Sequence, residues 1–277
     1  MNIKEITIEK ALSQTSINLA DRVINPYRGC AFGCLYCYAA RTKNMKKLAA
    51  PWGSFVDIKT NLPALLEKEL LLDQNIKTIL LGSTTDPYQP IEEKYELSKQ
   101  ILEIIKHHKK EVVILTRSPL IERDIELLKQ INHKIFFTFT PLEIYNWFEP
   151  NSPTPEKRLK TIELMRSFNL NIIPYICPIF PTLFDASRYF SIFSSLGIPE
   201  IHLENLNLKI LSHEQTFKNV NTNYMNTLNE IYSCKQQYNE YWKNENEKIL
   251  ALSQKYKISI KFFIHTYDSF CNLNYKT

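Results

Sequence analysis

Lys77-Thr78-Ile79-Leu80-Leu81-Gly82-Ser83-Thr84-Thr85-Asp86 passes within ten residues from an aliphatic run to a row of hydroxyls ending on a carboxylate. A short apolar run that stops on a glycine reads as a buried strand leading into a loop. The same switch recurs downstream, where Val113-Ile114-Leu115 leads to Thr116-Arg117-Ser118, and Phe136-Phe137 leads to Thr138 and Thr140. Six segments share the β-rich character: Arg22 to Tyr27, Lys77 to Leu81, Glu111 to Thr116, Lys134 to Thr140, Asn171 to Ile179 and Glu200 to Leu206. Helical patterns separate them at Asn61 to Leu72, Ile91 to His107, Pro119 to Gln130, Pro155 to Phe168 and Ala186 to Leu196. Several of these have proline in the first turn, where its missing donor costs nothing. Strands alternating with helices imply right-handed βαβ crossovers and a parallel sheet. Six such units predict an α/β fold built as an open, partial (βα)6 TIM-like barrel. Chemistry in a parallel barrel gathers at the carboxyl ends of the strands, and these ends carry the hydroxyls, Arg117, His202, Glu204 and Asn205. Loops after strands are polar in any case, so a single rim residue decides nothing.

Beyond about residue 210 the pattern changes. Met225, Leu228, Tyr232, Tyr238, Trp242, Ile249, Leu252 and Tyr256 recur at three- and four-residue steps, as on amphipathic helices, and Ile258 to Ile264 reads as one further strand. The expected organisation is a barrel core over residues 1–210 and a mainly helical C-terminal extension over 211–277 that packs on it. The aromatic stripe at helical spacing is read as a buried face rather than a base-stacking surface.

Composition narrows the chemistry. The chain has 277 residues, a net charge of +5 and only five glycines, where average usage would give roughly 19. No two of Gly29, Gly33, Gly53, Gly82 and Gly197 have the spacing of a dinucleotide fingerprint, a P-loop or a nucleophile elbow. The longest apolar stretch, Ile172 to Phe184, is interrupted by Pro174, Pro178 and Pro181, so no membrane span is expected. The N-terminus lacks the apolar core and cleavage site of a secretion signal. The expected compartment is the cytoplasm, where clustered cysteines bind metal or do redox chemistry more often than they form disulfides.

Three cysteines fall within eight residues in Asn25-Pro26-Tyr27-Arg28-Gly29-Cys30-Ala31-Phe32-Gly33-Cys34-Leu35-Tyr36-Cys37-Tyr38. A tetrahedral zinc site needs a fourth ligand, and the next histidine in sequence is His107. A thioredoxin-like pair would use Cys34 and Cys37 and leave Cys30 over. A cubane iron–sulfur cluster on three cysteines keeps one iron open to a further ligand.

The spacing of Cys30, Cys34 and Cys37, with Tyr36 before the third, resembles the signature of the radical S-adenosylmethionine (SAM) superfamily. Further stretches, Thr85-Asp86-Pro87-Tyr88-Gln89-Pro90, Ser118 to Asp124 and Glu149 to Leu159, resemble motifs of proteins related to spore photoproduct lyase. The resemblance covers about residues 22–205 and implies a partial barrel of the radical SAM type. It implies that Cys30, Cys34 and Cys37 hold a [4Fe–4S] cluster whose fourth iron is chelated by SAM. Reductive cleavage of SAM would then give a 5′-deoxyadenosyl radical that abstracts hydrogen from a substrate. By the same resemblance Tyr36 lies near the adenine and the stretch Gly82, Ser83, Thr84, Thr85 and Asp86 near the methionyl amino group. Arg117 suits the methionyl carboxylate, and Thr138 or Thr140 reaches the ribose.

The resemblance leaves the substrate open. Repair of UV-damaged DNA, as in spore photoproduct lyase, is one alternative. That enzyme uses a cysteine to return hydrogen, and no thiol occurs from Gly82 to Asp86. Cys177 is the one further cysteine within the barrel region and would be a substitute donor; its plain reading is a small core residue. His202 and Glu204, on one side of a strand, are candidates for proton transfer or substrate contact. Cys234 and Cys271 are expected to be structural. Arg41, Lys43, Lys46 and Lys47 could meet a phosphate backbone or an external electron donor of the flavodoxin or ferredoxin kind, or simply form a solvated face. From another class, an iron–sulfur electron carrier or sensor would use the same cysteines without needing a cofactor-binding rim.

Overall fold

The computed structural model describes residues 1–42, 45, 50–207, 220 and 222–267. It divides into two compact units, Met1–Thr138 with Glu149–Ile173, and Phe139–Phe148 with Pro174–Thr277. The boundary expected at residue 210 lies outside the described residues, as do Lys43, Lys46, Lys47 and Cys271.

In the first unit, β2 (Arg22–Ile24), β5 (Thr78–Leu81), β6 (Glu111–Thr116) and β7 (His133–Phe139) pair in parallel in that order. Register places Ile24 beside Leu81, Leu81 beside Ile114 and Thr116 beside Phe137. Ile79, Leu80 and Leu81 are fully buried, which is why this strand is an unbroken aliphatic run rather than an alternating one. The start of β8 (Ile172–Ile179) lies beside β7, where Ile135 N–H donates to the Asn171 carbonyl at 2.9 Å.

Helices fill the crossovers. Helix α1 (Leu62–Leu72) has Pro63 in its first turn and buries Leu62, Leu66 and Leu70 at four-residue steps. The single turn α2 (Glu92–Tyr95) leads into α3 (Leu97–His107), which buries Leu97, Ile101 and Ile105 on one stripe. A 3₁₀ segment, Pro119–Asp124, capped by Ser118, precedes α4 (Ile125–Leu128). In α6 (Pro155–Ser167) Thr154 caps the amino end by accepting from Lys157 N–H. Each fully buried leucine or isoleucine on these stripes stabilises the packing by about 1.5–3 kcal/mol relative to exposure.

A second, three-stranded sheet was not expected. There β4 (Phe55–Lys59) pairs in parallel with β1 (Asn2–Ile6) and antiparallel with β3 (Tyr27–Arg28). Val56 and Ile58 face the same apolar cluster as Tyr27, Ala31 and Leu97, so the sheet clamps the start of the cysteine loop.

The second unit holds α5 (Leu142–Phe148), the continuation of β8, α7 (Ala186–Ser195), β9 (Glu200–Asn205), α8 (Thr222–Ile231), α9 (Lys235–Tyr256) and β10 (Ser259–Phe263). Strands β8, β9 and β10 are parallel neighbours. The β8–β9 register shifts between Ile176 and Ile179; Pro178 lies in that interval and has no N–H to give the ladder. Of the stripe, Leu228 of α8 and Tyr238, Trp242 and Ile249 of α9 are buried, as on a packed face.

The strand succession, parallel with helices between, is that of a partial TIM-like barrel, as the polar switch after each strand indicates. Among the described residues no helix is long and apolar enough to cross a membrane.

Candidate functional site

The three cysteines lie on the loop that follows β3. Gly33 N–H donates to the Cys30 carbonyl at 3.2 Å and Cys37 N–H to the Cys34 carbonyl at 3.1 Å, so two consecutive tight turns coil the loop. Gly29 makes the entry possible. Its φ is +86°, and a Cβ there would stand 2.4 Å from the Phe55 carbonyl oxygen. Cys30 and Cys34 are buried and Cys37 half-buried, and all three are free thiols. Burial pushes the Cys34 thiol up to about 11 and raises Cys30 and Cys37 as well, while Arg117 opposes the rise at Cys34.

Two further segments brace this loop. Gln89, fully buried, accepts from Ala31 N–H at 2.7 Å through Oε1 and donates through Nε2 to the Gly29 carbonyl at 3.3 Å and to Thr85 Oγ1 at 2.9 Å. Thr85 Oγ1 donates in turn to the Gly29 carbonyl at 2.6 Å. The backbone on both sides of Cys30 is thereby held by the Thr85-to-Gln89 stretch. Asp86 ties strand ends together, accepting from Thr116 Oγ1 at 2.7 Å, Arg117 N–H at 2.9 Å and Tyr88 N–H at 2.9 Å. Of the stretch expected to meet the methionyl amino group, Thr85 and Asp86 therefore turn into the protein. Thr84 N–H donates to Asn25 Oδ1 at 2.8 Å, and Ser83 Oγ accepts from Asn25 Nδ2 at 3.2 Å.

The second brace comes from Glu149-Pro150-Asn151-Ser152. Ser152 Oγ lies 3.5 Å from Cys34 Sγ. Glu149, fully buried, accepts from Tyr36 OH and from Arg158 NH2, and Arg117 NH1 lies 2.7 Å from its Oε1. The same NH1 is 3.1 Å from Cys34 Sγ and 2.9 Å from Tyr36 OH. Burial alone would raise the Glu149 carboxyl, but the Arg158 and Arg117 charges outweigh it and hold it at about 2. Tyr36 and Arg117, placed beside a cofactor by resemblance, thus meet next to Cys34. Thr138 is half-buried at the end of β7 and Thr140 is buried just beyond it.

In the second unit Glu204 accepts from Tyr175 OH, from Cys177 at 3.3 Å and from His265 Nε2 at 2.8 Å. His202 Nε2 is 2.7 Å from Glu200 Oε1. The expected His202–Glu204 pair is instead two carboxylate–histidine pairs along one face of β9. Cys234 is exposed at the amino end of α9, and His107 stacks edge-on against His108 at the end of α3.

Sequence reasoning missed Gln89, Asn25, Glu149, Ser152, Arg158, Tyr175 and His265. The first five stand in stretches singled out by their motifs, but a buried charged brace has no periodicity to announce it. His265 follows the last strand and meets Glu204 across 61 residues of sequence.

Among the described residues no three His, Cys, Asp or Glu side chains close on one point as ligands of a single ion would. Three soft donors on one coiled loop, two buried and one half-buried and none with a disulfide partner, suit a cluster that takes each thiolate on a different iron.

Comparison with known proteins shows the family and the fold. The Radical SAM superfamily model matches residues 24–189. An uncharacterized protein of Methanocaldococcus jannaschii is 34% identical over 192 residues, covering 67% of this chain and 70% of its own length. An uncharacterized protein of Mycobacterium tuberculosis H37Rv is 27% identical over 201 residues, and the match covers 66% of this chain and 59% of that protein. Among solved structures, spore photoproduct lyase complexed with dinucleoside spore photoproduct superposes with a TM-score of 0.70 at 13% identity, covering 94% of this chain and 82% of that one. Streptococcus suis SuiB bound to precursor peptide SuiA gives 0.57 at 13% identity, covering 88% of this chain and 48% of that one. Both likenesses are of fold.

Proposed function

Because the chain belongs to the radical SAM superfamily, we propose that it is an enzyme that holds a [4Fe–4S] cluster through Cys30, Cys34 and Cys37 and binds SAM beside it. When bound, these groups supply the one-electron cleavage of SAM that yields a 5′-deoxyadenosyl radical for hydrogen abstraction. The observation that carries the reading is that Arg117 NH1 lies within hydrogen-bonding distance of both Cys34 Sγ and Tyr36 OH.

The chain's own residues divide the work. The Gln89 and Thr85 brace holds the backbone on both sides of Cys30. Arg117 offers its guanidinium edge to the methionyl carboxylate, and Gly82, Ser83 and Thr84 at the end of β5 lie where the amino end would be met. Tyr36 flanks the adenine, and Thr138 or Thr140 the ribose. Burial around the loop excludes water from the reactive centre. In the second unit Cys177, hydrogen-bonded to Glu204, is the candidate hydrogen donor, with His202 and Glu204 as candidates for proton transfer or substrate contact. The reaction needs an external low-potential donor of the flavodoxin or ferredoxin kind and a reducing, cytoplasmic setting.

Anaerobic reconstitution followed by dithionite and SAM tests the reading through 5′-deoxyadenosine formation. The substrate is left open, and repair of UV-damaged DNA is the alternative suggested by the resemblance to spore photoproduct lyase relatives. UV-irradiated DNA offered to the reduced enzyme tests that alternative: loss of photoproducts would support it, and unchanged photoproducts would direct the search to peptides and small molecules.

A further inference from the structure

Family membership accounts for the cysteine loop but not for the carboxylate buried next to it. Glu149 and Arg158 are both fully buried. Arg158 is fixed at its far side by Nε donating to the Pro153 carbonyl at 2.9 Å, and NH2 of the same guanidinium donates to Glu149 Oε2. The other Glu149 oxygen takes Arg117 NH1 and Tyr36 OH. Arg117 is thus gripped through one terminal nitrogen. Its Nε and NH2 carry no hydrogen bond among the described residues, and its side chain is 15% exposed. Each oxygen of Glu149 thus takes a different arginine, Oε1 the NH1 of Arg117 and Oε2 the NH2 of Arg158. A guanidinium on a long side chain has many rotamers, and a fixed partner on one nitrogen removes most of them before a ligand arrives.

We propose that Glu149, locked in place by Arg158, is a positioning residue that aims the open Nε–NH2 edge of Arg117 at the carboxylate of SAM. The inference rests on the SAM-binding reading above. Without Glu149, NH1 keeps only the Cys34 sulfur and Tyr36 OH as partners, and the guanidinium regains its rotational freedom. The motif Glu149 to Arg158 then has a specific task, which is to hold Arg117 by NH1 so that its Nε–NH2 edge is kept for a ligand.

The test compares equilibrium binding of SAM and of decarboxylated SAM to the anaerobically reconstituted full chain, wild type and Glu149→Gln. Wild type should prefer SAM. Glu149→Gln should reduce that preference about tenfold or more, as expected when a bidentate, charge-assisted contact loses its aim, with affinity for the decarboxylated analogue unchanged. A general structural loss would lower both affinities together, and an unchanged preference overturns the proposal. Should Glu149→Gln fail to keep its cluster, Glu149→Asp retains the charge with a shorter reach and is measured in the same way. Failure of both to load a cluster would assign Glu149 to holding the loop, which also overturns the proposal. A cluster-loaded wild type that binds no SAM would instead refute the functional reading on which the inference stands.

Discussion

Arg117 NH1 lies 3.1 Å from Cys34 Sγ, so the end of β6 is tied directly to the cysteine loop. If Cys34 ligates the proposed [4Fe–4S] cluster, this N–H would bring positive charge and a hydrogen bond to it, and both favour the reduced form. Arg117→Gln should therefore shift the cluster midpoint to more negative potential and weaken SAM binding. A redox titration followed by EPR measures the first effect; an unmoved midpoint would mean that Arg117 does not reach the loaded cluster.

Gln89 makes three buried hydrogen bonds around Cys30. Gln89→Leu leaves Ala31 N–H without its partner and Gly29 C=O with only the Thr85 bond, at a cost of about 1–3 kcal/mol for each buried group left unsatisfied. Denaturant unfolding should show that loss, and a chelator should bleach the cluster of the variant faster than that of the wild type. Equal bleaching rates would separate Gln89 from the loop.

Gly29 should tolerate no side chain. With φ at +86° and the Phe55 carbonyl oxygen 2.4 Å from where a Cβ would stand, Gly29→Ala combines a left-handed backbone with a backbone clash. The expected outcome is a protein that fails to bind iron, read by iron and sulfide content after reconstitution.

The Glu149 carboxyl lies at about 2 in the fold against an ordinary value of 4.5. A lowered folded-state value contributes stability that is fully present above the ordinary value and is lost as pH falls through the folded one. Acid unfolding should accordingly steepen below about pH 4.5, and Arg158→Ala should remove much of the effect while costing about 3–5 kcal/mol at neutral pH, because it breaks a buried pair from one side. Chemical denaturation of wild type and variant across this pH window checks both.

Much of this arrangement is legible in the residues themselves. The aliphatic run from Ile79 to Leu81 and its polar continuation mark a buried parallel strand and its rim, because burial on both faces removes alternation. The cysteine spacing marks the loop. The small sheet is not legible: Asp57 and Lys59 interrupt the apolar pattern of β4, and its partner β1 lies more than 50 positions away and is largely exposed. Glu149 and Arg158 are hidden for a different reason. Charged residues are read as surface by default, and only the fold reveals that each is buried because it answers the other. His265 could not be tied to Glu204 without knowing that β10 runs beside β9.

The central claim is that the loop at Cys30, Cys34 and Cys37 supports SAM cleavage, and the most direct measurement is 5′-deoxyadenosine released after dithionite reduction of anaerobically reconstituted wild type and Cys34→Ala. The account predicts thiolate-to-iron absorption and deoxyadenosine from the wild type and neither from the variant. Deoxyadenosine and cluster absorption persisting undiminished in Cys34→Ala would contradict it.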